Sequence, residues 1–221
     1  MEPHVHVPTA PGASFHLPPK LEGLRRIAYN LWWSWHPRAR ILFSRVDAGA
    51  WARYRNPIPV LSGPVQWSQL LENPAFMAEY ESILREFDRY MANGADHWFA
   101  REHSKQLTGP IAYFCAEYGF HESLGIYSGG LGVLAGDHMK TASDMALPAI
   151  GVGLLYRQGY FRQAIDADGH QEHDYPDYDP AQLPILRVLD HLGEPLNVAI
   201  QLPGRDLHVG VWVAQVGRVP V

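Results

Sequence analysis

GPIAYFCAEYGFHESLGIYSGGLGVLAGDHMKTASDMALPAIGVGLLYRQGYFRQ, residues 109–163, holds the pattern that decides the fold. Residues 111–118 (IAYFCAEY) form a largely apolar run of strand length, of the kind buried on both faces of a sheet. A glycine-rich stretch, SLGIYSGGLG, follows. Leu131, Leu134, Ala135, Ala142, Met145 and Ala146 then recur at helical spacing until Pro148 stops them. Residues 149–156 (AIGVGLLY) are a second run of buried-strand type. Strand, loop, helix and strand in that order build parallel α/β sheets, so the expected fold class is α/β.

Upstream, the periodicity is helical. Leu21, Leu24, Ile27, Ala28, Leu31 and Trp35 fall on one helix face. His36-Pro37 closes that helix, because the residue before a proline avoids the α region. Trp32, Trp33 and Trp35 cannot share one face, so at least one is expected to be exposed or to meet another domain. A shorter helix is expected over 39–46. Asn73-Pro74 sets a cap residue before a proline at the first helical position. The stripe Phe76, Tyr80, Ile83, Leu84, Phe87 and Met91 follows, with a stop at Asn93-Gly94. Residues 21–108 therefore read as a small helical amino-terminal domain. Residues 1–20, rich in Pro and His, read as a flexible leader in which His4 and His6 are solvated tail residues rather than metal ligands.

Downstream, the pattern is β. Residues 160–165 and a partner are separated by the turn Asp166-Ala167-Asp168-Gly169. Leu207, Val209, Val211 and Val213 alternate with His208, Gly210 and Trp212, as in one strand over 207–214. Gly217-Arg218 reads as a turn and Val219 as the start of another strand. Residues 109–221 thus read as a partial, truncated domain whose last strand is left unpaired.

Composition narrows the function. The 221 residues are 47% hydrophobic and 19% charged, with a net charge of −5 and no run of basic residues. That excludes a nucleic-acid or anionic-membrane footprint. No stretch approaches the roughly 18 consecutive apolar residues of a membrane span. The single cysteine, Cys115, rules out an internal disulfide and suits a reducing, cytoplasmic setting; inside a buried strand it is a core thiol, not a nucleophile.

The chemistry concentrates in Ser128-Gly129-Gly130-Leu131-Gly132, where a strand hands over to a helix. Glycine there lets a ligand approach the backbone, and the free N–H groups of the helix start, with its dipole, favour phosphate. A tight turn that binds nothing uses the same residues. Gly130-x-Gly132-x-x-Ala135 also fits a relaxed dinucleotide fingerprint. Against this, the loop from strand to helix is too long, and residues 155–157 bring no acidic group for a ribose. His170, Glu172, His173 and Asp174 lack the spacing of a zinc helix. Asp174, Asp177 and Asp179, interleaved with Tyr175 and Tyr178, read as a solvated acidic loop before a sugar channel.

The block over 111–163 resembles the glycine-loop segment of the α-glucan (glycogen, starch, maltodextrin) phosphorylases. RIAYNLWWSWHPRAR (26–40) resembles the extra amino-terminal domain of the bacterial and archaeal branch of that family. The resemblance implies a glycosyltransferase-B-type, Rossmann-like architecture with a β-rich extension. It implies reversible phosphorolysis of terminal α-1,4-linked glucose to glucose 1-phosphate, with α-1,4-glucan and inorganic phosphate as partners and room for an oligomer in the complete enzyme. It also implies pyridoxal phosphate held on a lysine, and none of Lys20, Lys105 and Lys140 lies in a matching context. The family's loop donors map onto Gly129, Gly130 and Leu131; Ser128 stands where family members often carry Asn; Glu117 matches a carboxylate that organises the site. No catalytic acid, base or metal ligand is carried over, so the chain is expected to be an incomplete and inactive fragment. A non-catalytic glucan- or phosphate-binding module and a starch-synthase-like nucleotide-sugar transferase are the alternatives.

Overall fold

In the computed structural model the described residues are 6–13, 15–92, 97–103, 106–107 and 109–221. Among them, eight α-helices fill the first half: α1 (Gly23–Ala28), α2 (Trp32–Trp35), α3 (Pro37–Val46), α4 (Ala48–Tyr54), α5 (Pro57–Ser62), α6 (Trp67–Glu72), α7 (Pro74–Met91) and α8 (Trp98–Glu102). Where one helix was expected up to Trp35, there are two, with a break at Tyr29-Asn30. The break has a cause at the far end of the chain. Leu31 N donates to Gln215 O at 2.7 Å, and the Asn30 side chain exchanges 2.9 Å hydrogen bonds with the backbone of Gly217. Those long-range bonds replace the helical ones.

The cap at Asn73 forms as its sequence implies: its side chain accepts from the N–H groups of Ala75 and Phe76, both at 3.1 Å. Phe76, Tyr80, Ile83 and Phe87 of the α7 stripe are buried, while Leu84 and Met91 pack at its margin. Helix α7 ends at Met91, and the stop expected at Asn93-Gly94 lies outside the described residues. None of the three clustered tryptophans is exposed. Trp32 and Trp33 are buried, and Trp35 is half-buried beneath the Lys140 ammonium, 5.7 Å from its ring centre.

The β–loop–α–β unit is present. Strand β1 (Ile111–Phe114) pairs in parallel with β2 (Ala149–Val152), and helix α9 (Gly130–Asp144) connects them. Both strands are half the expected length, and β1 is not buried on both faces: Phe114 is 75% exposed. Leu154, Leu155 and Tyr156 lie beyond β2 and are exposed, and Cys115 lies after β1, half-buried, rather than in a core strand. On α9, Ala135, Met139 and Ala142 face the core, whereas Leu131, Leu134 and, at the C-cap, Met145 are exposed. The spacing is helical, but it is alanines with Met139, not the leucines, that face inward. A close helix crossing admits Ala and Gly where Leu would not fit.

The rest is hairpins. β3 (Arg162–Ile165) pairs with β4 (Gln171–Asp174) around Gly169, whose φ is +83°. β5 (Leu186–Arg187) pairs with β8 (Trp212–Val213), and β6 (Asn197–Leu202) with β7 (Arg205–Gly210). Thus the strand expected over 207–214 is divided between β7 and β8. β9 (Gln215–Val216) pairs with β10 (Val219–Pro220) across Gly217. The final strand is not left unpaired: Val219 is fully buried, and Val221 and Ala214 exchange two backbone hydrogen bonds of 2.9 and 2.8 Å.

One hydrophobic cluster runs from Phe15 and Leu17 through the helices to Tyr118, Met139, Val216 and Val219. The described part of the leader lies along it. Ala10 N donates to Arg187 O at 2.8 Å, and Phe15 and Leu17 are buried, so this stretch is not a free arm. His4 lies outside the described residues. Among the described residues no helix is long and apolar enough to cross a membrane.

Candidate functional site

Residues 115–129 run from β1 to α9, crossing the helix near its first two turns. The crossing is so tight that backbone touches backbone. Gly119 N donates to Gly132 O at 2.7 Å. A Cβ on Gly136 would run into the carbonyl of Gly119, whose carbon would lie 2.8 Å away, and a Cβ on Gly132 would sit 2.9 Å from Glu117 Oε2. These glycines are required by packing alone.

Gly129 and Gly130 differ. A Cβ at either would meet nothing within 4 Å. Neither has a positive φ; Gly129 is extended, at φ −148°. Neither backbone is left-handed, so the fold itself does not ask for glycine at 129 or 130.

Glu117 arranges this loop. Its Oε2 accepts from Ser128 N at 2.5 Å, Gly129 N at 3.3 Å and Ser128 Oγ at 3.3 Å. The Ser128 N–H, followed by the other two donors, holds the Glu117 carboxyl below its usual range. Ser128 is thereby committed to Glu117, and so is the N–H of Gly129. The remaining donors of the helix start are those of Gly130, Leu131 and Gly132, which have no intrahelical acceptor at these positions. Leu131 itself is 54% exposed. An anion would be drawn to these three by the helix dipole and kept from the Ser128 side by the Glu117 charge.

Beside the loop lies a cleft of about 320 Å³, within the usual span of small-molecule sites. Ala116, Glu117, Gly125, Ser128 and Gly159 line it, together with Tyr127, Tyr156, Gln158 and Tyr160. Tyr156 is fixed by a 2.9 Å hydrogen bond from its hydroxyl to Ala116 O. Sequence reasoning missed these tyrosines as a group. The signal is the spacing of aromatics in LLYRQGYF, which also suits a strand. A neighbouring hollow of about 510 Å³ shares Tyr156 and contains the Arg157–Asp177 ion pair at 3.3 Å. Of the acidic loop, Asp177 thus pairs with Arg157, and Asp179 caps a short helix by accepting from Ala181 N at 3.0 Å.

Further from the cleft, His121 pins the same segment to the helical core. Its ring meets Trp33 edge-on at 4.6 Å, and its Nδ1 accepts from Ser123 N at 3.1 Å. Burial, with Arg40, Lys140 and Arg55 adding, lowers its pKa to about 4. Asp166, Asp168 and His170 are close enough to share a cation, but they lie at the hairpin turn between β3 and β4, with Asp168 and His170 exposed. Neither described lysine offers a cradle for pyridoxal phosphate. Lys140 donates to Phe120 O at 3.0 Å, and Lys20 is exposed at the foot of α1; Lys105 lies outside the described residues.

Comparison with known proteins follows the same segments. A family model described as a protein of unknown function (DUF3417) matches residues 17–124. The chain is 42% identical over 205 residues to the maltodextrin phosphorylase of Thermococcus litoralis, covering 92% of this chain and 24% of that protein. It is 38% identical over 215 residues to a glycogen phosphorylase of Mycobacterium tuberculosis, covering 93% and 25%, and 36% identical over 201 residues to that of Aquifex aeolicus, covering 89% and 28%. No solved structure matches. The chain therefore spans about a quarter of the length of these curated relatives. Over most of its length it is homologous to the amino-terminal quarter of the maltodextrin and glycogen phosphorylases.

Proposed function

We propose that the chain supplies the glycine-loop side of an α-glucan phosphorylase active site, in which inorganic phosphate cleaves a terminal α-1,4-linked glucose to glucose 1-phosphate. Gly130, Leu131 and Gly132 offer backbone N–H groups to the phosphate or the sugar, and Glu117 with Ser128 and Gly129 holds the loop in place. The tyrosine-lined cleft receives the glucan. The observation that carries this reading is the open space at Gly129 and Gly130. Glycine that packing does not demand, at a helix start with free donors, is what a closely approaching anionic ligand needs.

The same reading makes the 221 residues alone inactive. The lysine for pyridoxal phosphate and the cationic groups for phosphate belong to the other part of such an enzyme. The helical stretch 21–108 and the stretch 109–221 are then its two amino-terminal domains, in a cytoplasmic protein. Alone, the chain is expected to release no glucose 1-phosphate from maltodextrin and phosphate, and to take up no borohydride-stable pyridoxal adduct. Placed in the Thermococcus litoralis enzyme in exchange for the matching quarter, it is expected to give a chimaera that turns over. A folded, cofactor-loaded chimaera without phosphorolysis would contradict the proposal.

A further inference from the structure

The hollow of about 510 Å³ beside the tyrosine-lined cleft has no part in the reading above, although Tyr156 forms a wall of both. Its size is that of a small-molecule site. Leu155 and Leu183 give it apolar walls, Tyr178 a second aromatic ring, and Arg157 with Asp177 its polar groups.

These walls are fixed from behind. Gly125 and Gly159, which line the first cleft, press backbone on backbone, so that a Cβ on Gly159 would run into the Gly125 carbonyl oxygen. The Tyr178 ring lies against both glycines: added Cβ atoms would come within 2.8 Å of its Cζ from Gly125 and 3.0 Å of its Cε2 from Gly159. Tyr178 N donates to Arg157 O at 2.9 Å, and Gln158 and Asp177 bridge as antiparallel partners. Tyr156 is tied through its hydroxyl to Ala116 O. Both rings stand in place before a ligand arrives, which lowers the ordering cost of binding.

Charge and shape narrow the ligand. The Arg157 and Asp177 side chains are 84% and 56% exposed, so a fork of donors and a carboxylate acceptor face solvent together. Their charges cancel, and Asp179 adds a negative one at the same hollow. An anion is not drawn here, in contrast to the start of α9. A sugar ring suits both kinds of wall. Its hydroxyls each donate and accept, and its apolar face can lie on an aromatic ring.

We infer that this hollow is a further sugar subsite, which takes neutral glucosyl units running on across Tyr156 from those in the first cleft. The α-1,4 linkage of that chain rests on the reading above. A short sugar fills one hollow, whereas a longer chain reaches both.

The test titrates maltose, maltoheptaose and inorganic phosphate into the 221-residue chain and follows each amide by NMR. Maltoheptaose is expected to shift Tyr127 and Gly159 in the first cleft together with Tyr178 and Leu183 in the second. It should bind about tenfold more tightly than maltose, the return on roughly one added charge-assisted hydrogen bond. Phosphate should leave Tyr178 and Leu183 still. Arg157→Ala and Asp177→Ala, singly and together, change exposed side chains and should not move the melt. They are expected to remove the tenfold advantage and the shifts at Tyr178 and Leu183, while maltose still shifts the first cleft. Equal affinity for the two sugars, no sugar-induced shift at Tyr178 and Leu183, an advantage that survives both substitutions, or saturable phosphate shifts there would overturn the inference. Sugar in both hollows, with no phosphorolysis by the folded, cofactor-loaded chimaera, would leave the subsite standing and overturn the functional reading.

Discussion

At Gly119, Gly132 and Gly136 an added Cβ has nowhere to go, whereas at Gly129 and Gly130 it would meet nothing. Both groups belong to one crossing of loop and helix, and the sequence writes them with the same letter. The first group is paid for by packing: backbone lies on backbone, and His121 and Tyr118 anchor the segment to the core. The second has no packing partner, and we propose that a ligand accounts for it. On that proposal the two groups separate what the fold needs from what a ligand needs.

The largest effect is expected at the crossing. Gly136→Ala places a methyl group against the Gly119 carbonyl, which cannot yield as a flexible side chain would. A loss of about 3 kcal/mol, at the upper end for overpacking, should appear in denaturant melts. An unchanged melt would show that the crossing is loose.

Next comes the anchor. His121 has a folded pKa of about 4 against an ordinary 6.5, so the folded chain binds fewer protons between those values than the unfolded chain. Its contribution is fully present above pH 6.5 and is lost as pH falls towards 4, on the order of 2 kcal/mol. Stability curves of the parent and His121→Asn should converge over that window. Parallel curves would mean that the ring is not held neutral.

Glu117→Ala acts on the loop alone. It removes the acceptor of three hydrogen bonds from Ser128 and Gly129. Their amides should exchange about tenfold faster, with the global melt almost unmoved. Gly130→Ala is the smallest: within about 1 kcal/mol of the parent and on the stable side, since alanine restricts the unfolded chain. A collapse of the fold in that variant would erase the distinction between the two groups.

The sequence made much of this legible, and the misses share a cause. Regular local patterns came through: the Asn73 cap, the α7 stripe, the β1–α9–β2 order and the Gly217 turn. What failed depended on distant partners. The break at Asn30 is set by Gly217, almost the whole chain away. The runs at 111–118 and 149–156 look buried because their composition is that of a covered sheet, yet among the described residues nothing covers Phe114 and Val152. At the loop, Glu117, Ser128 and Gly129 do come together, but their bonds to one another shift the free donors to Gly130, Leu131 and Gly132. No spacing rule distinguishes a glycine facing solvent from one pressed against a carbonyl.

The most direct test of the ligand-facing assignment is an amide-resolved NMR titration of the chain with inorganic phosphate and with glucose 1-phosphate. Saturable shifts confined to Gly130, Leu131, Gly132 and the tyrosine-lined cleft, with Gly119 and Gly136 still, are the predicted result. Saturating shifts elsewhere, or none at the loop at millimolar ligand, would contradict it.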